Sequence, residues 1–288
     1  MKHLLTLLAV VLLGACAHVP AEPAGSAPIR AMTFNIRLDV ASDGANAWPH
    51  RKEMVAAVIR REGPDLLGMQ EVLLHQKQYL EAALPEYTFV GVGRDDGAQA
   101  GEFSPLGWRN DRFTAVDSGT FWLSPTPEVA GSKGWDAALP RIATWAVLRD
   151  LRSGETIRVL NTHFDHVGMA ARANAARMIV QWVAAGSAPA IVMGDFNVKP
   201  GAEPYRILAD TARSGLADSR SISSPPPYGP PGTFTGFDIT AAADGPIDHI
   251  FATSEFAVTG HSVVTQHWEG RLPSDHYPVI ADLALEAE

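Results

Sequence analysis

The sequence predicts an α/β protein in which mixed β-sheets pack together with helices on the outside. Three observations carry this expectation. Short β-type runs alternate with helical patterns, strands outnumber helices, and strands in the middle of the chain follow one another with no helix between them. A simple doubly wound sheet needs a crossover helix after each strand, so it does not fit. The chain has 288 residues, enough to bury one substantial core. Beyond the N-terminal region no Pro/Gly-rich stretch is long enough to separate two domains, so residues 29–288 read as one domain.

Apolar residues over 29–36 read as a strand that ends near Asn35. Met54, Val55, Val58 and Ile59 recur at helical spacing within 51–61, and Gly63-Pro64 stops that helix. A strand over 66–70 delivers Glu71, and a helix over 73–84 ends at Pro85. Strands are expected over 88–92, 113–120, 144–150 and 157–162. A helix over 170–185 precedes a buried strand over 190–193. The last strands are expected over 247–252, 256–264 and 277–285.

The N-terminus reads as a targeting segment. Lys2 and His3 precede an apolar run over 4–13 that is too short to span a bilayer, as in a secretory signal. The run ends in Leu13-Gly14-Ala15-Cys16, which resembles a bacterial lipobox. Cys16 is the single cysteine, so it has no internal disulfide partner and sits where lipidation uses it. The expectation is a signal peptide over 1–15, a lipidated Cys16 and an Ala/Pro-rich tether to residue 28. Such a chain is exported and lipid-anchored in the bacterial cell envelope, facing the periplasm from the outer membrane in a Gram-negative cell. It touches the membrane through that anchor and otherwise acts as a monomer.

Hydrophobic residues make up 46% and charged residues 19%, an ordinary balance for a soluble globular domain. The net charge of −9 works against a broad, non-specific grip on nucleic acid.

Polar residues recur just beyond the ends of apolar strands: Asn35, Glu71, His163, Asp195, Asn197, Asp248 and Asp275. Strands of a sheet can bring such residues to one rim. Glu71 offers a hard oxygen ligand suited to Mg²⁺, with Asn35 beside it for water or phosphate oxygen. In Gly194-Asp195-Phe196-Asn197, Asp195 can take a proton from an attacking water and Asn197 can donate to a phosphate oxygen. Gly194 permits a sharp turn and close approach. Asn161-Thr162-His163-Phe164-Asp165-His166 supplies two imidazoles, of which His163 points with Asp165 and His166 the other way if the chain stays extended. Ser274-Asp275-His276 supplies a third. Neighbours in an extended segment face opposite ways, so Asp248 rather than Asp275 is expected to orient His276 and favour its cation. Each signal is modest alone; their joint order is specific.

Met32-Thr33-Phe34-Asn35-Ile36-Arg37, Gly68-Met69-Gln70-Glu71, Asn161-Thr162-His163-Phe164, Gly194-Asp195-Phe196-Asn197, Ile247-Asp248-His249 and Ser274-Asp275-His276 together resemble the endonuclease/exonuclease/phosphatase superfamily. Its members include pancreatic-type deoxyribonuclease, abasic-site endonucleases, inositol polyphosphate phosphatases, neutral sphingomyelinases and deadenylase nucleases. The resemblance covers nearly the whole mature chain. It implies a four-layer sandwich, two mixed β-sheets face to face with helices on the outer faces. It implies Mg²⁺ or Mn²⁺ at Glu71, with Asn35 and Asp275 nearby. Asp195 would activate the water, Asn197 would contact the phosphate, and His163 and His276, the latter held by Asp248, would stabilise phosphorane charge or assist the leaving group.

Further segments, among them Gly131-Ser132-Lys133-Gly134-Trp135-Asp136 and Pro140-Arg141-Ile142-Ala143-Thr144-Trp145, resemble a bacterial, often exported subgroup. There Arg141 would grip a second anionic group, Trp135 and Trp108 would stack on a sugar or base unless they pack in the core, and Glu102 would orient His163. Leu106-Gly107-Trp108 departs from the aliphatic–aromatic pair of similar proteins, and Gly107 points to a bulge or a wider pocket wall. The Pro-rich segment 223–234 is expected to form a stiff loop beside the site.

Three functions compete. The first is a metal-dependent hydrolase of small phosphodiesters or phosphomonoesters, favoured by export and acidic charge. The second is a nuclease, an exoribonuclease or endonuclease, disfavoured because no basic run interleaved with aromatics appears. The third is a non-catalytic binding lipoprotein, disfavoured by the presence of Glu71, Asp195, Asn197, Asp248, Asp275 and His276 together.

Overall fold

The structure is a computed structural model that describes residues 28–241 and 244–286. The expected signal peptide, the lipidated Cys16 and the tether up to residue 27 lie outside the described residues. No described helix is long and apolar enough to cross a membrane.

Among the described residues, twelve strands and six α-helices follow one another as β1 Ile29–Asn35, α1 Lys52–Glu62, β2 Leu66–Gln70, α2 Leu74–Ala83, β3 Tyr87–Val90, β4 Leu106–Arg109, β5 Phe113–Trp122, β6 Ile142–Asp150, β7 Thr156–His163, α3 Met169–Ala184, β8 Ala190–Asp195, α4 Glu203–Ala209, α5 Thr211–Ser214, β9 Leu216–Asp218, α6 Ser219–Ile222, β10 Asp248–Thr253, β11 Phe256–Val263 and β12 Val279–Leu285. They form two six-stranded sheets, ordered β11-β12-β1-β2-β4-β3 and β5-β6-β7-β8-β10-β9. Each sheet holds one parallel pair, β1 with β2 and β7 with β8, joined through α1 and α3 respectively. The other pairings are antiparallel, so both sheets are mixed, as the sequence predicts.

The apolar runs are nearly unbroken because most central strands are covered on both faces. Along β1, Ala31 packs into the layer between the sheets, with Leu66, Leu106, Val159, Met193 and Ile250. Its neighbours Met32 and Phe34 face outward onto Val55 and Ile59 of α1 and Leu80 of α2. On the second sheet Leu160, Val192 and Phe251 face Ala176 and Ile179 of α3 and Leu208 of α4. Burying such apolar area at about 25 cal/mol per Å² drives the layering. On α1 the buried stripe is Val55, Ala56, Val58 and Ile59, with Met54 only half-buried.

Gly107 corrects one expectation. It pairs in regular register with Leu67 on one side and Phe89 on the other, without a bulge. A Cβ there would stand 2.6 Å from the Phe89 ring, so the glycine makes room for a cross-strand aromatic rather than widening a pocket. Trp108 beside it lies buried in the layer between the sheets, so it packs the core and does not stack on a ligand.

Candidate active site

The strand ends converge because of register. Asn35 closes β1, and Glu71 follows β2 at once. In the second sheet His163 at the end of β7 pairs with Asp195 at the end of β8, which pairs in turn with Asp248 at the start of β10. Ser274, Asp275 and His276 arrive on the segment leading into β12, which lies beside β1. Gly194 runs so close to β7 that a Cβ would stand 2.1 Å from the Thr162 carbonyl oxygen. Only glycine allows this approach, and it brings Asp195 to the rim.

Of these, Glu71, His163, Asp195, Asp275 and His276 line one cleft of about 600 Å³, together with Arg37, Glu102, Arg141, His166 and Asn197 and the apolar Leu38, Leu139, Phe234, Phe237 and Ile247, while Asn35 and Asp248 stand behind them. Among the described residues, six non-glycine residues have positive φ, and Arg37, Glu71, Asn197 and Phe237 of these line the cleft. Backbone held in that region at a ligand-facing surface is a mark of a positioned site.

Two opposed aspartates, Asp195 and Asp248, would repel each other. His276 resolves this. Its Nδ1 lies 2.9 Å from Asp248 Oδ2, and its Nε2 lies 3.8 Å from Asp195 Oδ2. Burial opposes the imidazolium, but Asp248, Asp195 and Asp275 outweigh it and raise the affinity of His276 for its proton. Asp248 thus partners His276, while Asp275 points into the cleft. Burial and the Asp248 charge also push Asp195 well above the usual carboxylate range. The Asn35 Nδ2 donates to Asp195 Oδ2 and to Glu71 Oε1, both at 3.0 Å. The Asn197 backbone N–H donates to Asp195 Oδ1 at 2.9 Å, and its side-chain amide donates to the Phe164 carbonyl at 3.0 Å.

His163 differs in charge. Its Nε2 stands 3.5 Å from Asp195, but burial, reinforced by Arg141 and Arg94, holds its pKa well below the usual histidine range, so it is neutral. Glu102 faces its Nδ1 at 3.9 Å, beyond hydrogen-bond reach, and pairs instead with Arg94 at 2.7 Å. Trp135 is half-exposed and is not among the cleft-lining residues. Arg141 does line the cleft and donates from Nη2 to His166 Nδ1 at 3.0 Å. Both His163 and His166 reach the cleft because β7 stops at His163, so the alternation expected of an extended chain ends there. Asp165 turns away and accepts from the backbone N–H groups of Ala138, Leu139, Val167 and Gly168. The Pro-rich segment ends on the site: Thr233 Oγ1 accepts from Ile247 and Asp248 N–H, and the Phe234 ring meets the His276 ring edge-on at 5.1 Å.

Sequence reasoning passed over Arg37 and Arg51. Arg37 pairs with Asp43 at 3.0 Å and stands 3.9 Å from Glu71 and 3.8 Å from Asp275. Arg51 is fully buried and donates to the carbonyls of Ile36, Arg37, Leu38, Asn46 and Pro273, fixing the turns that carry Asn35 and Asp275. No spacing rule marks a side chain that binds only backbone; the one signal was a positive charge at the start of an otherwise ordinary helix.

The donor set fits a divalent cation. Glu71 and Asp275 are hard oxygen donors on one cleft wall, and burial together with Glu71 raises the pKa of Asp275, so negative charge there lacks full compensation. Arg37 is too distant to hydrogen-bond either. Asn35 turns its amide nitrogen to the carboxylates while its oxygen accepts from Arg37 N–H, so it orients Glu71 rather than offering the cleft an oxygen. A second group, Asp195, Asp248 and His276, has donor atoms within 4.8 Å of one another, close enough to hold a metal. His276 favours its proton there, and an imidazolium does not ligate, so Glu71 and Asp275 are the better pair.

The profile of the endonuclease/exonuclease/phosphatase family matches residues 32–276. Among functionally curated proteins none matches the chain. Among solved structures, a family protein from Bacteroides thetaiotaomicron is 36% identical over 90% of this chain and 98% of its own, with a TM-score of 0.87. One from Bacteroides vulgatus is 40% identical over 90% of this chain and 99% of its own, with a TM-score of 0.84. A mannosyl-6-phosphatase from Bacteroides thetaiotaomicron is 36% identical over 89% of this chain and 100% of its own, with a TM-score of 0.86. The motifs, the two-sheet fold and the match across nearly the whole domain agree: the chain belongs to the endonuclease/exonuclease/phosphatase family and is a hydrolase of ester bonds.

Proposed function

We propose that this protein is a divalent-metal-dependent phosphoesterase that splits a phosphodiester or phosphomonoester by direct attack of water, and that it works outside the cytoplasm on a lipid anchor at Cys16. The observation that carries the reading is Asp195, a buried carboxylate of raised proton affinity, held by Asn35 and the Asn197 N–H and facing two imidazoles.

Mg²⁺ or Mn²⁺ at Glu71 and Asp275 would supply Lewis-acid neutralisation of phosphate charge. Asp195 takes the proton from water as the water oxygen attacks phosphorus; the ester P–O bond breaks and the departing alkoxide takes a proton from solvent. The second amide hydrogen of Asn197 meets a phosphate oxygen. His276, protonated and backed by Asp248, faces the growing negative charge. His163, kept neutral, contributes a hydrogen bond rather than a charge. This division gives separate roles to two histidines whose shares of the work the sequence left open.

The test is a substrate panel on protein lacking residues 1–16, with Mg²⁺ and with EDTA. It covers sugar phosphates, nucleotides, phospholipids, single-stranded RNA and DNA. Sugar phosphates head the panel because a similar protein is named a mannosyl-6-phosphatase. Turnover of a small phosphoester that stops with EDTA is expected; inertness toward every ester would overturn the reading. Radiolabelled palmitate should enter the full chain and not Cys16→Ser.

A further inference from the structure

Arg141 carries more hydrogen-bond capacity than the protein uses. It lies on β6's approach to the cleft, is 5% exposed, and lines the cavity. Nη2 is spent on His166 Nδ1. Nη1 and Nε have no hydrogen-bond partner among the described residues. Asp165 Oδ2 stands 3.6 Å from Nε, too far for a hydrogen bond. That oxygen already accepts from the Ala138 and Leu139 N–H groups. Glu102, the other carboxylate on this wall, is neutralised by Arg94 at 2.7 Å. Two buried guanidinium donors without acceptors are costly to the fold, so their natural complement is a ligand oxygen.

The cleft brings Glu71, Asp195 and Asp275 together with Arg141, His163 and His166, and His163 stands 3.5 Å from Asp195. The charged oxygens of a phosphate bound against Asp195 would extend toward His163 and Arg141, whose charge acts on His163 and feels Asp195. A monoester places a second charged, unsubstituted oxygen there, and a guanidinium fork matches such an oxyanion. A diester places an alkoxy group there instead. It accepts weakly, brings no charge, and leaves the buried donors unpaired.

We propose that Arg141 forms a pocket for the doubly charged terminal phosphate, which makes phosphomonoesters the substrate class of this cleft. The inference rests on the phosphoesterase reading above and narrows it. Arg141 binds substrate and takes no part in proton transfer. His166 positions it by accepting from Nη2.

The test compares p-nitrophenyl phosphate with bis(p-nitrophenyl) phosphate, with Mg²⁺, in the wild type, Arg141→Met and Arg141→Lys. Binding of inorganic phosphate is measured in parallel by titration calorimetry. The wild type should favour the monoester by about 100-fold in kcat/KM, as a site built to bond a group discriminates against analogues lacking it. Arg141→Met should lose about 100-fold on the monoester, chiefly through KM, and about tenfold less than that on the diester, where only the Arg141 charge acting on His163 is lost. Diester activity also reports that the variant has folded. Arg141→Lys, which keeps the cation and loses the fork, should fall between them. Inorganic phosphate affinity should drop in step with monoester kcat/KM. Equal losses on both esters, or an unchanged phosphate affinity, would overturn this inference alone. Turnover of neither ester by the wild type would overturn the phosphoesterase reading itself.

Discussion

At the scale of single residues, proton affinities divide the work of the cleft. Asp195 and His276 are both shifted upward, and Asp248 contributes to both shifts. Asp248→Asn keeps the size and much of the hydrogen bonding at His276 Nδ1 but removes the charge. His276 then loses its main electrostatic reason to stay protonated. We expect kcat to fall by about 10³-fold with little change in thermal stability, read by steady-state kinetics and calorimetry. A variant of wild-type activity would show that the His276 charge is not used. Glu71, His163 and Asp195 were legible because each closes or directly follows an apolar strand, and Asp248 and His276 because each opens or stands just ahead of one. Arg37, Arg51 and the loss of Trp135 from the site were not. Arg37 reaches Glu71 and Asp275 through a left-handed backbone that no glycine announces, and Trp135 sits at a similar turn that carries it away from the cleft.

At the scale of elements, β11 and α6 hold a pH-sensitive contact. His261 is buried on β11 with Nδ1 3.0 Å from Ser219 Oγ of α6. Burial lowers its pKa from 6.5 to about 4, with Arg220 and His249 adding to the shift and Asp218 opposing it. A depressed histidine pKa means that the unfolded chain binds the extra proton between those values. Stability therefore falls as pH drops from 6.5 toward 4, by up to about 3 kcal/mol from this one group. Urea midpoints at several pH values should show this loss in the wild type, and a shallower one in His261→Gln. Parallel curves would contradict it. The region leading to this contact was the least legible part of the fold. α5 and α6 have four residues each and β9 has three, too few to show a period, and α4 has seven. The long strands and α1, α2 and α3 were readable because burial against a sheet imposes a pattern over many residues.

At the scale of the whole molecule, the two sheets are held at the end away from the cleft by Arg112. It donates to Asp65 at 2.6 Å and to the Pro28 carbonyl at 2.8 Å, and pairs with Asp150 at 3.3 Å. These partners lie before β1, before β2 and at the end of β6, so one guanidinium ties both sheets together. Arg112→Met would leave buried carboxylates without their cation. We expect a loss of about 3–5 kcal/mol in unfolding free energy, with kcat unchanged at temperatures where the variant is folded. A matching fall in kcat would show that this clamp governs the distant cleft. The separation is physical: the sandwich carries a buried charge clamp at one end and gathers buried, incompletely neutralised charge at the other.

That gathered charge is the core of the functional account, and one comparison tests it most directly: Mg²⁺-dependent release of phosphate from a small phosphoester by the wild type and by Asp195→Asn, each with EDTA and after Mg²⁺ is restored. The account predicts wild-type turnover that EDTA abolishes and Mg²⁺ recovers, with a loss of about 10³-fold in Asp195→Asn. Full activity in Asp195→Asn, or turnover that EDTA leaves untouched, would contradict it.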